Sequence, residues 1–91
     1  MTAGAAVDLG SNATRLLVRR DGRPPLRRSR LTHLAEDLAV TGELGRRALE
    51  RTAAVLRDYR ALVEQEGVAL VGVVASAAAR SAGNADALAS L

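Results

Sequence analysis

The chain has 91 residues, 48% of them hydrophobic and 25% charged, with a net charge of +3, which fits one small globular domain or part of one rather than a disordered segment. The absence of cysteine excludes a disulfide framework and thiolate chemistry, and no apolar run approaches the ~20 residues that span a bilayer. Met1–Val7 lacks the basic start and long apolar stretch of a secretory leader, so a cytoplasmic protein is expected.

Tyr59 is the only aromatic residue, and alanine supplies much of the apolar fraction, so leucine and valine must build the core. The charge is unevenly spread. Arg15–Arg30 holds seven arginines against Asp21, a local +6, whereas residues 31–91 sum to −2. Such a block suits either an anion-binding surface or the solvated face of a hairpin.

In chain order, Gly4–Asp8 predicts a short strand running into the turn-prone Gly10-Ser11-Asn12. Thr14–Arg20, with Leu16, Leu17 and Val18, predicts a second strand. Asp21-Gly22 between apolar runs signals a hairpin turn. Pro24 and Pro25 are expected to delay the return strand to Leu26–Leu31, at a sheet edge.

From Gly45 to Glu66 the apolar Ala48, Leu49, Val55, Leu56, Tyr59, Leu62 and Val63 draw one helical stripe, with Thr52 filling its gap. Arg46–Glu50 and Arg60–Glu64 are i,i+4 pairs on the wet face, and Gly67 is the expected stop. Val68–Ala75 is a valine-rich run that predicts a strand buried on both faces. Ser76–Arg80 begins a helical turn, and Asn84 is placed to cap a last helix with Asp86 in its first turn.

The segment richest in chemistry is Asp8-Leu9-Gly10-Ser11-Asn12. Gly10 permits close backbone approach to an anion, and successive amides with the Ser11 and Asn12 side chains can donate to phosphate oxygens. Asp8 repels a bare phosphate, so its expected task is to hold a hydrated Mg²⁺ or orient water. The same residue types are also favoured in an ordinary strand-to-strand turn. Other enzyme signatures are missing: no lysine for a Walker loop, no Gly-x-Ser-x-Gly and no histidine pair for zinc. His33, the only histidine, is expected to be structural.

Several blocks in order resemble the exopolyphosphatase and guanosine pentaphosphate phosphohydrolase (Ppx/GppA) family. They are the Asp8–Asn12 loop with Thr14–Val18, then Thr32-His33-Leu34-Ala35-Glu36, then Thr41–Leu44 with Ala48–Thr52. The last is Val73–Arg80 with Asn84. The resemblance implies an α/β fold, a truncated actin-like (ribonuclease H-like) ATPase domain of order β-β-β-α-β-α. Three antiparallel strands are followed by a parallel one, and residues 1–91 form the N-terminal part of one domain.

The resemblance also implies release of terminal phosphate from polyphosphate or guanosine pentaphosphate with Mg²⁺ and an attacking water. Gly10, Ser11, Asn12 and Arg80 are then the phosphate contacts and Asp8 the metal contact, with Ser76 a weaker candidate. The family's general-base Glu and second glycine-rich loop come later, so catalytic residues are expected beyond Leu91. Asp37 stands where the family usually has glycine. Gly45, Arg46 and Arg47 replace a capping Ser, Pro and Glu, which predicts a weakened helix start.

A second class of function stays open: a polyanion-binding module that uses the Arg15–Arg30 block without cleavage. The shortage of aromatic residues counts against single-stranded nucleic acid, and a membrane partner is not expected. An exposed sheet edge would favour a homo-oligomer.

Overall fold

The computed structural model describes residues 3–91; Met1 and Thr2, the first residues of the segment searched for a leader, lie outside them. Strand β1 (Gly4–Leu9) alternates as a half-covered strand should, with Ala5, Val7 and Leu9 buried and Ala6 and Asp8 on the opposite face. It pairs antiparallel with β2 (Ala13–Arg20), placing Val7 opposite Leu16 and Asp8 opposite Arg15. β2 pairs antiparallel with β3 (Arg23–Leu31), and β4 (Leu70–Ala75) lies parallel to β1. The sheet order is β3-β2-β1-β4. This mixed four-stranded α/β sheet has the strand directions expected from the sequence.

β3 begins earlier than expected. Pro24 and Pro25 do not delay it; they lie within it, where the register with β2 shifts between Val18 and Arg20. An edge strand with a bulge tolerates residues that lack an N–H, because the missing donor has no ladder partner to disappoint.

The connection from β3 contains a one-turn helix, α1 (Leu38–Thr41), absent from the sequence reading. The long helix α2 (Arg46–Glu66) follows, and it ends at Gly67 in the left-handed region, φ 70°. Ala48, Thr52, Val55, Tyr59 and Val63 form its buried stripe. Val55, Tyr59 and Val63 share one core with Val7, Leu9, Leu16 and Val18, so α2 covers β1 and β2. Both anticipated i,i+4 pairs form, Arg46–Glu50 at 3.1 Å and Arg60–Glu64 at 3.4 Å.

β4 departs from expectation. Leu70, Val71, Val73 and Val74 are all more than half exposed. A valine-rich run indicates burial on both faces only when covering elements exist on both, and β4 is an edge strand whose Leu70 and Val73 border an open cavity shared with Leu56 and Val63 of α2.

Past β4 come α3 (Ala77–Arg80) and a 3₁₀ segment (Ala85–Ser90). Asn84 does not cap that segment. Its side chain accepts from the Leu44 amide (2.7 Å) and donates to the Leu44 carbonyl (3.0 Å), while Gly83 N donates to Gly42 O (2.9 Å). The carboxamide thus serves as a strand partner for the α1–α2 connection, and that use excludes capping. Replacing Asn84 by Ala leaves both Leu44 groups without this partner and should cost about 1–3 kcal/mol in denaturant unfolding.

Two departures from the family pattern meet in space. A Cβ at Gly45, the N-cap of α2, would lie 2.1 Å from Asp37 Oδ2. The Asp37 backbone sits at φ −98°, so the turn after Glu36 needs no glycine. Its carboxylate fills the space of a capping side chain and brings negative charge to the amino end of α2. Gly45→Ser should therefore stabilise the protein less in the native background than beside Asp37→Gly. A double-mutant cycle by urea unfolding should show coupling of about 0.5–1 kcal/mol; additive changes would separate the two positions.

Candidate functional site

Because β1 and β4 are parallel neighbours, the loop after β1 and the first residue after β4 emerge at the same edge, the usual place for a ligand crevice in such sheets. Ser76 N donates to Leu9 O (3.0 Å), and Ser11 Oγ donates to Ser76 Oγ at 3.1 Å. Ser76 Oγ also accepts from Ala79 N (3.2 Å), capping α3. The two hydroxyls thus join the two strand ends and place Ser76, the weaker candidate of the sequence reading, beside the loop.

The Gly10–Asn12 loop is held through its carbonyls. Ser11 O accepts from Ala35 N (3.2 Å), and Asn12 O accepts from Thr32 N and His33 N, both at 3.0 Å. In a trans peptide the amide points opposite to the preceding carbonyl, so the Asn12 N–H is directed away from the 32–35 segment. Among the described residues no hydrogen bond occupies the Ser11 and Asn12 amides. The Gly10 amide differs: it donates to Ala13 O at 3.0 Å. A Cβ at position 10 would lie 2.7 Å from that same oxygen, so the close approach that requires glycine is made by the chain's own carbonyl.

Asp8, one residue before the edge, is half-buried on the sheet face away from α2. Its carboxylate has no hydrogen bond or ion pair among the described residues, although Arg15 stands across from it on β2. No group of three or more His, Cys, Asp or Glu able to hold a metal occurs among them either, so Asp8 belongs to no such cluster. That donor set suits a hydrated Mg²⁺, which commonly takes one or two carboxylates with water and phosphate completing its shell. Arg80 is exposed at the end of α3, one helical turn past Ser76, and enters no ion pair among the described residues.

Under the loop lies a polar network that sequence reasoning missed. Thr14 Oγ1 and Thr32 Oγ1 share a hydrogen bond of 2.8 Å with both side chains fully buried, and the Tyr59 hydroxyl donates to Thr14 O at 2.8 Å. Arg51 Nε donates to Thr32 O (3.0 Å), and its guanidinium pairs with Glu36. The available signals were a lone aromatic residue and threonines in apolar stretches, but the partners are up to 45 residues apart. His33, beside this network, holds φ 49° and its side chain is exposed.

The basic block does not form one face. Arg20 and Arg23 pair with Glu66, and Arg30 with Asp58, all on the α2 side. Alternation along the strands turns Arg15 and Arg27 to the other side with Asp8.

A model of the Ppx/GppA phosphatase family matches residues 22–90. The chain belongs to the Ppx/GppA phosphatase family. Two sequences of exopolyphosphatase 2 from Mycobacterium tuberculosis strains are each 34% identical over 94 residues, spanning 94% of this chain and 30% of the relative. The Aquifex aeolicus Ppx/GppA phosphatase structure superposes with a TM-score of 0.84 at 33% identity, covering 94% of this chain and 30% of its own. An exopolyphosphatase from Cytophaga hutchinsonii shares the fold, with a TM-score of 0.83 at 21% identity, covering 96% of this chain and 29% of its own. The chain therefore spans about 30% of the length of its Ppx/GppA relatives. No helix among its described residues is long and apolar enough to cross a membrane.

Burial pushes the Tyr59 phenol above its ordinary value of 10.0, against the opposing pull of Arg30 and Arg28. A raised folded-state value means that the folded chain keeps the proton longer than the unfolded one. Stability is then complete below pH 10 and falls as pH rises through the folded value. Without lysine or cysteine, Tyr59 is the only side chain expected to titrate there. Thermal unfolding above pH 10 should show this loss together with delayed tyrosinate absorbance, and Tyr59→Phe should flatten the pH dependence while costing about 1 kcal/mol at neutral pH.

Proposed function

We propose that the chain is the N-terminal part of a phosphoanhydride hydrolase domain that releases terminal phosphate from polyphosphate, with guanosine pentaphosphate as an alternative substrate of the same chemistry. The observation that carries this reading is the strand-edge loop with its carbonyls tied back to the 32–35 segment. The unoccupied Ser11 and Asn12 amides stand beside the joined Ser11 and Ser76 hydroxyls, and an unpaired Asp8 carboxylate lies just behind. The unoccupied amides and the Ser76 hydroxyl, whose proton is not spent on Ser11, are donors, the groups a phosphoryl oxygen requires.

In this reading the Ser11 and Asn12 amides and the Asn12 carboxamide bind a terminal phosphate. Gly10 shapes the turn, its own amide being held by Ala13 O. Ser76 accepts a hydrogen bond from the Ser11 hydroxyl and keeps its own O–H for the phosphate, and Arg80 approaches the substrate from α3. Asp8 would hold Mg²⁺, which when bound offsets phosphate charge and supports the attacking water. The general base comes from outside these residues, so the 91-residue chain binds without efficient turnover.

The ion pairs of Arg20, Arg23 and Arg30 with α2 leave the basic block no continuous cationic face, which favours this reading over a non-catalytic polyanion module.

The test is calorimetric titration of the chain with tripolyphosphate, with and without Mg²⁺, at two salt concentrations. Asp8→Asn should weaken the Mg²⁺-dependent binding by about tenfold or more. Binding that ignores both Mg²⁺ and Asp8→Asn but collapses with added salt would overturn the hydrolase reading and install the polyanion module.

A further inference from the structure

The Asn12 amide faces away from the 32–35 segment because the Ser11 carbonyl is held, and the segment that holds it is itself held from one point on α2. Thr32 uses its backbone and side chain in that arrangement. Its amide donates to Asn12 O, its hydroxyl bonds Thr14 Oγ1, and its carbonyl accepts from Arg51 Nε. Four residues on, the Glu36 carboxylate takes the other arm of the same guanidinium. Between those anchors the chain passes through His33 at φ 49°, a left-handed conformation disfavoured for a residue with a Cβ that must be imposed by its surroundings. Ala35 N then reaches Ser11 O.

Arg51 thus clamps both ends of the short segment whose amides donate to the Ser11 and Asn12 carbonyls. The other ion-paired arginines of α2, Arg46 and Arg60, bridge only to carboxylates on their own helix.

We propose that Arg51 is a positioning residue: by gripping Thr32 O and Glu36 from α2, it fixes the 32–36 segment, which holds the Ser11 and Asn12 carbonyls and thereby aims the Asn12 amide outward. The proposal rests on the phosphate-loop reading for its consequence, but its geometric content stands apart from any ligand. It makes α2 the rigid body to which the loop is referenced. A change in that helix would alter ligand affinity without touching a ligand. The planar fork of arginine is essential, since one nitrogen serves a carbonyl and another a carboxylate. Lysine has a single ammonium and no such fork.

The experiment uses the ¹⁵N-labelled 91-residue chain with Arg51→Met, Arg51→Lys, the milder Glu36→Gln and the control Arg46→Met. Amide shifts of Ser11, Asn12 and Ala35 and the His33 coupling constant that reports φ are read first, without ligand. Titration with tripolyphosphate and Mg²⁺ follows. Arg51→Met should move these four signals and weaken binding by about tenfold, in the range found when groups supporting a ligand site are removed. Arg51→Lys should restore little, Glu36→Gln should move the same signals less, and Arg46→Met should move none of them.

Unmoved Ser11, Asn12 and His33 signals in both Arg51→Met and Glu36→Gln would overturn the proposal. So would equal movement in Arg46→Met, because the effect would then be general to the helix. If the signals move as expected while the native chain binds no tripolyphosphate, Arg51 positions the loop but the phosphate reading of that loop fails. Should Arg51→Met unfold, Glu36→Gln alone decides, since it leaves the Arg51–Thr32 bond in place.

Discussion

The bonds from the Thr32, His33 and Ala35 amides to the Asn12 and Ser11 carbonyls set the character of the site. A peptide unit has a donor side and an acceptor side, and holding the acceptors on one surface presents the donors on the other. Without that tie, residues 10–13 would be a reverse turn with no preferred face. With it, the strand edge offers N–H and O–H groups, which suits an anion. In the proposed reading the Asp8 carboxylate behind them favours an anion that arrives with a cation.

The tie is maintained by buried polar contacts, where an unpaired group would be costly. Thr14 and Thr32 satisfy each other, Tyr59 satisfies a carbonyl of Thr14, and among the described residues no buried side-chain nitrogen or oxygen lacks a partner. The interior beneath the loop is therefore specified by hydrogen-bond direction as well as by volume. The apolar core of Leu16, Val18, Leu34 and Val55 supplies the driving force for burial, and the threonines and the tyrosine fix the orientation.

The same principle explains the arginines. Alternation along β2 and β3 turns consecutive side chains to opposite faces, so a cluster in sequence becomes two groups in space. One group meets the acids of α2, and the other shares the open face with Asp8. A sum of charges over a sequence window carries no information about that division.

Local patterns alone determined much of the fold. The 3.6-residue stripe defined α2, Gly67 stopped it, the Asp21-Gly22 pair joined β2 to β3, and the Asp8–Asn12 sequence marked the loop. Each depends on neighbours a few residues apart, so the chain displays them before it folds. The tertiary structure decided the rest, because the deciding partners are remote. Asn84 serves Leu44 instead of a helix end, Asp37 takes the space beside Gly45, and β4 remains exposed because α2 lies over β1 and β2. Arg51, an ordinary helix-surface residue in the sequence, gains its importance only when α2 packs across the sheet and brings Thr32 and Glu36 within reach. A residue type and its spacing fix what bonds a side chain is able to make; only the packed chain fixes which of those bonds exist.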